Sequence, residues 1–131
     1  MHIKQEILQK LIEHAAKDLP NEACGYLAGK DGVVTLHFEL TNTDHSPEHF
    51  SFDPQEQFNV MKQVRNEGME IIANYHSHPS TPARPSEEDI RLAFDSSISY
   101  VIISLAEDIP SVKSFIIKDS IVKHEEINIV Q

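Results

Sequence analysis

The stretch that most constrains this chain is Met69–Tyr75, Met-Glu-Ile-Ile-Ala-Asn-Tyr, followed at once by His76-Ser77-His78-Pro79. An apolar run this short reads as a buried strand, here one that delivers His76 to the end of a sheet. Such a sheet needs cover, and the rest of the chain supplies it. Ile3, Ile7, Leu11, Ala15 and Leu19 fall at steps of four, with Leu8 and Ile12 beside them. That spacing predicts an amphipathic helix over residues 3–18, ended by Pro20. Asp53-Pro54 reads as an N-cap followed by proline in the first helical turn. The helix it opens runs through Phe58, Met61 and Val64 and closes near Gly68.

Strands are expected at Glu22–Ala28 and Val33–Leu40, turning at Lys30-Asp31-Gly32. A polar loop, Thr41–Asp53, follows, with His45, His49, Phe50 and Phe52 in it. Beyond the Pro79–Pro85 loop comes a short helix from about Ser86 to Phe94. Tyr100–Ala106, Val112–Lys118 and Ile121–Ile129 read as strands, the last two pairing across Asp119-Ser120. The order of elements predicts an α/β fold, a mixed sheet wrapped by helices. A length of 131 residues fits a single domain over 1–131 with one core.

Charge narrows the function classes. A formal net charge of −10 without a basic patch argues against nucleic acid and against anionic membrane surfaces. No stretch approaches a membrane span, and the N-terminus lacks the apolar core of a signal peptide. Cys24 is the only cysteine, which excludes an intramolecular disulfide and a cysteine-rich metal site. A reducing, cytoplasmic setting is expected.

Residues two apart on a strand point the same way, so His76 and His78 can converge on one point. Zinc accepts neutral imidazole nitrogen, and a catalytic zinc typically takes three protein ligands plus water. The bland alternative is two surface histidines on a loop. Ser86-Glu87-Glu88-Asp89 resembles a helix N-terminus, with Ser86 as the cap and acids favoured by the helix dipole. A helix beginning there can also carry Asp89 inward as a third, oxygen ligand. Glu22 has its own ordinary reading as a solvated strand-end carboxylate.

Taken together, Glu22, then His76-Ser77-His78, seven residues from Pro79 to Pro85, and Ser86-x-x-Asp89 resemble the signature of the JAMM metalloproteases, the MPN-plus domain. "NEACGYLAG" is similar to the family's opening Glu-strand, and Asn42 with "FSFDP" to the segment after its second strand. One departure is Ala73-Asn74, where many relatives carry glycine before the aromatic position filled here by Tyr75.

The resemblance implies a fold like that of the cytidine deaminases, but not their chemistry. The deaminase Pro-Cys-x-x-Cys cannot be built from one cysteine, and the His-Glu-x-x-His of thermolysin-like enzymes is missing. It implies Zn²⁺ held by His76, His78 and Asp89, with Glu22 as general base. Ser86 would donate its hydroxyl to a developing oxyanion. Ser77 and Pro79 would shape the turn. The rival nucleophile, Cys24 with His76 as base, leaves His78 and Asp89 unexplained.

A non-catalytic zinc-binding MPN scaffold is the alternative from another class. A structural zinc there would need a fourth ligand from His45, His49 or Cys24. Only 53 residues separate Glu22 from His76 and 42 follow Asp89, which leaves little room for the insertions that clamp ubiquitin chains. Compact relatives of this kind act on small sulfur-carrier or ubiquitin-like proteins ending in Gly-Gly. The resemblance therefore implies such a partner, with the Thr41–Phe52 loop forming part of the groove for its tail.

Overall fold

The computed structural model describes residues 1–131. At its centre lies β4 (Glu70–His78), antiparallel to β2 (Cys24–Lys30) on one side and parallel to β5 (Ser99–Ser104) on the other. Outward from β2 come β3 (Val33–Leu40), β1 (His2–Lys4) and β8 (Asn128–Val130). Outward from β5 come β6 (Ser111–Lys118) and β7 (Ile121–Glu125).

This eight-stranded mixed sheet carries both its edge strands in one short stretch of chain. Laid flat, eight strands would stand about 34 Å from edge to edge. Yet β7 and β8 are joined by Glu126 and Ile127 alone, a link that reaches no more than about 11 Å. The sheet must therefore curl until these ends of its two edge strands come that close. The Met1 ammonium donates to Glu126 O at 2.8 Å and Asn128 N donates to Met1 O at 2.7 Å, tying the start of the chain to this link.

Helix α1 (Gln5–Lys17) covers one face, burying Ile7, Leu11 and Ala15 against Leu27, Val34, Tyr75 and Ile103. Tyr75 fits there because Gly25 has no side chain: a Cβ on it would lie 2.6 Å from the Tyr75 ring and 2.1 Å from Phe38 O. Helix α2 (Pro54–Asn66) and the short α3 (Glu87–Arg91) lie on the other side. Asp53 caps α2 by accepting from Gln55 N and Glu56 N, with proline in the first turn as expected, and Gly68 takes a positive φ of 69° just past its end. Both hairpin turns use residues at positive φ, Asp31-Gly32 and Asp119-Ser120. No helix is long and apolar enough to cross a membrane.

Several boundaries differ from expectation, and four bear on the fold and the site. Ile3 belongs to β1, not to the first helix, because pairing with Val34 and Ile129 outweighs its helical spacing from Ile7. The expected strand Ile121–Ile129 is two strands, β7 and β8, on opposite edges of the sheet. The helix expected from Ser86 to Phe94 is only Glu87–Arg91. Beyond it the chain is drawn off its helical path at Asp95, whose N–H donates to Tyr100 Oη and whose carbonyl accepts from it. Strand β2 begins at Cys24, leaving Glu22 two residues ahead of it.

Candidate metal centre and active site

The pairing of β2 with β4 sets Cys24 opposite His76. Continued toward the strand end, that register puts Ala23 opposite Ser77 and Glu22 opposite His78. Two hydrogen bonds hold it there: Ser77 N donates to Ala23 O at 3.0 Å, and Ala23 N donates to Ser77 Oγ at 2.8 Å. Residues directly opposite share a face, so Glu22, His76 and His78 converge although 53 residues of chain separate the first two. Ser77, on the opposite face, is a strand residue and not a turn former. Strand β4 runs on through His78, which is what makes the alternation argument apply.

Asp89 arrives from the other side. Ser86 caps α3 with its Oγ accepting from Asp89 N at 3.0 Å, while Ser86 N donates to Asp89 Oδ2 at 2.9 Å. This reciprocal box fixes the Asp89 side chain at the third helical position. The same Oδ2 lies 3.1 Å from both His76 Nε2 and His78 Nε2, which are themselves 3.1 Å apart. Burial alone would raise the Asp89 carboxyl, but the hydrogen bonds from His76 and His78 outweigh it and hold the group well below the usual carboxylate range.

The three donor atoms form a near-equilateral triangle. A tetrahedral centre with bonds of about 2.0–2.1 Å sets its donors about 3.3 Å apart. His78 Nδ1 lies 2.9 Å from Pro82 O; a carbonyl only accepts, so Nδ1 carries a proton, which would leave Nε2 free to offer its lone pair to a cation that displaces its own proton. The His76 ring is packed by Phe50, stacked at 4.7 Å between centroids. Two nitrogens and an anionic oxygen aimed at one point fit a divalent cation. Cys24, His45 and His49 do not belong to this cluster. Cys24 is fully buried, and burial pushes its thiol up to about 12, which removes it as a nucleophile at neutral pH.

Glu22 stands beside the cluster with its side chain buried and its Oε1 unpartnered. Burial pushes its carboxyl up to about 8. Its backbone is fastened on both sides of the Cα, the N–H donating to Ser46 O at 2.8 Å and the C=O accepting from Asn42 Nδ2 at 3.1 Å. Asn42 also gathers the Thr41–Asp53 loop, donating to His49 O and accepting from Asp44 N.

From His76 and Asp89 a groove of about 680 Å³ runs along the sheet face. Phe50 and Phe52 of the Thr41–Asp53 loop line it, together with Leu92 and Phe94. Phe50 went unassigned in the sequence because only its stacking on His76 gives it a role.

The family model for prokaryotic homologues of the JAB domain matches residues 4–117. The chain belongs to this family. That is the prokaryotic branch of the JAMM metalloproteases whose signature the sequence carries. The chain is 33% identical over 132 residues to a CysO-cysteine peptidase of Mycobacterium tuberculosis, covering 98% of this chain and 90% of the relative. It is 32% identical over 104 residues to a desampylase of Haloferax volcanii, covering 77% and 75%. The solution structure of protein DSY2949 from Desulfitobacterium hafniense superposes with a TM-score of 0.91 at 50% identity, over 99% of this chain and 92% of that one.

Proposed function

We propose that this chain is a zinc-dependent peptidase that hydrolyses the amide bond following the Gly-Gly tail of a sulfur-carrier or ubiquitin-like protein. The observation that carries the reading is the convergence of His76 Nε2, His78 Nε2 and Asp89 Oδ2 beside the buried, unpartnered carboxylate of Glu22. His76, His78 and Asp89 would hold the ion. Zinc, when bound there, supplies the charge that polarises a carbonyl and acidifies water.

Glu22 is the proton carrier. A carboxyl raised to about 8 in the metal-free chain, and drawn down again by a cation beside it, can exchange protons near neutral pH. It takes the proton of the attacking water and returns it to the leaving amine nitrogen. Ser86 Oγ accepts the cap bond from Asp89 N, which leaves its hydroxyl hydrogen free to donate to the oxyanion that forms on the scissile carbonyl.

The groove accepts an extended tail, and glycines at its end let the backbone approach the cluster closely. The relatives named as a CysO-cysteine peptidase and a desampylase support this choice of substrate. A cytoplasmic setting agrees with the free thiol of Cys24.

The test is incubation of zinc-loaded protein with a sulfur-carrier protein extended past its Gly-Gly tail by one cysteine. Mass spectrometry should show release of cysteine, and replacing the glycines with leucines should abolish it. Zinc-loaded protein that leaves both this substrate and a Gly-Gly isopeptide conjugate intact contradicts the reading.

A further inference from the structure

Three buried side-chain polar atoms in the chain lack a hydrogen-bond partner: Glu22 Oε1, His76 Nδ1 and Asn74 Oδ1. The first two belong to residues with roles in the chemistry above; Asn74 has none. It lies on β4 two residues before His76, on the same face, and lines the groove.

The row across the sheet explains why nothing in the chain satisfies it. Asn74 is directly flanked by Tyr26 on β2 and Tyr100 on β5. Neither neighbouring hydroxyl is bonded to it, each being drawn to another partner. Tyr26 Oη accepts from Gln57 Nε2 at 2.7 Å, and Tyr100 Oη exchanges two hydrogen bonds with the Asp95 main chain. One carboxamide is therefore left without a partner between two aromatic rings, in a groove whose walls are otherwise largely apolar. An unmet buried acceptor destabilises the free protein. The carboxamide turns readily about its last torsion, so an incoming ligand can meet it.

We propose that Asn74 is a recognition residue that reads the main chain of an extended peptide lying in the groove. A carboxamide offers one donor pair and one acceptor, the complement of a peptide N–H and C=O, whereas the aromatic and aliphatic walls suit side chains. Two residues of β4 span about 7 Å, and an extended peptide covers the same distance in two residues. Asn74 therefore meets the peptide unit two residues before the scissile carbonyl, the one that joins the tail to its first glycine. The placement of that peptide rests on the proposed function.

The test pairs a variant with an altered substrate. Asn74→Leu removes the unpaired amide while keeping its size. Its melting temperature should equal or exceed that of the wild type, its KM for the Gly-Gly-Cys substrate should rise about three- to tenfold, and kcat should stay within about twofold. In the companion substrate an ester oxygen replaces the N–H of the first glycine, with the scissile amide kept. The wild type should lose the same three- to tenfold in KM on it, and Asn74→Leu nothing further.

Wild-type KM for Asn74→Leu, or equal losses on the ester in both proteins, would overturn the assignment while leaving the hydrolase intact. A purely structural Asn74 would lower the melting temperature without the KM split. Failure of the zinc-loaded wild type to cleave either substrate would instead overturn the functional reading, and the Asn74 assignment with it.

Discussion

The two faces of β4 are built from alternate residues of one strand and end in opposite states. Toward α1, Tyr75 Oη meets His14 Nδ1 at 2.7 Å and Ser77 Oγ accepts from Ala23 N, so each polar group is paired and the surroundings are dry core. Toward the groove, Asn74 Oδ1 and His76 Nδ1 are buried without partners, and so is Glu22 Oε1 across the strand pair. The chain satisfies the polar groups of one face from within and leaves three polar atoms unmet on the other. Unmet buried polar groups are costly, and under the proposed function Glu22 Oε1 and Asn74 Oδ1 would meet a water and a substrate beside the donor triangle of His76, His78 and Asp89.

Glu22→Gln sharpens this contrast most. Turnover should fall about 10²–10⁴-fold, the usual cost of losing a general base, while metal content stays at the wild-type level. A stability readout comes with it. The metal-free wild type binds the Glu22 proton up to about pH 8 in the folded state, but releases it near 4.5 when unfolded. Between those values the folded chain holds more protons, so stability falls as pH rises. Glu22→Gln should flatten that slope. Thermal melts of metal-free protein from pH 4.5 to 8 check it, and parallel profiles for both proteins would place the Glu22 carboxylate in water.

Ser86 joins helix and site, and should show the next largest effect. Ser86→Ala should lose about 10²–10³-fold in turnover if the hydroxyl serves the oxyanion, together with about 0.5–2 kcal/mol of stability from the lost cap. Ser86→Asn restores a cap without the hydroxyl, so its stability should recover and its turnover should not. Full turnover in a destabilised Ser86→Ala would leave the residue as a cap alone.

The paired face should respond in the opposite sense. The Asp18 carboxylate only accepts, so His14 Nε2 donates to it at 3.1 Å and Nδ1 accepts from the Tyr75 hydroxyl. Tyr75→Phe strips that donor and should cost about 1–3 kcal/mol of stability, with turnover per folded molecule unchanged. Denaturant melts and turnover numbers on the same samples measure both. A catalytic defect in Tyr75→Phe at full stability would break the division between the faces.

How much of this the sequence disclosed depended on whether a residue's role was local. The cap at Asp53, the Ser86 box and the turn at Asp119-Ser120 are set within a few residues, and short-range patterns revealed them. The His76, His78 and Asp89 spacing was legible for the same reason, since a strand end, a proline-rich loop and a helix start fix it. Glu22 carried no local sign. Its place comes from β2 and β4 pairing across 53 residues, and only the family's four-part motif linked it to the histidines. Ile3 and the break between β7 and β8 were misread because their partners are strands from the far end of the chain. Phe50 and Asn74 were illegible as site residues, since one acts by stacking on His76 and the other by lacking a partner.

The claim that the unmet face is a zinc site is tested most directly by metal analysis of purified wild type, Glu22→Gln and the double variant His76→Ala/His78→Ala. The wild type and Glu22→Gln should each hold about one zinc per chain, and the double variant should hold almost none while keeping its fold. Full zinc occupancy in the double variant would contradict the assignment.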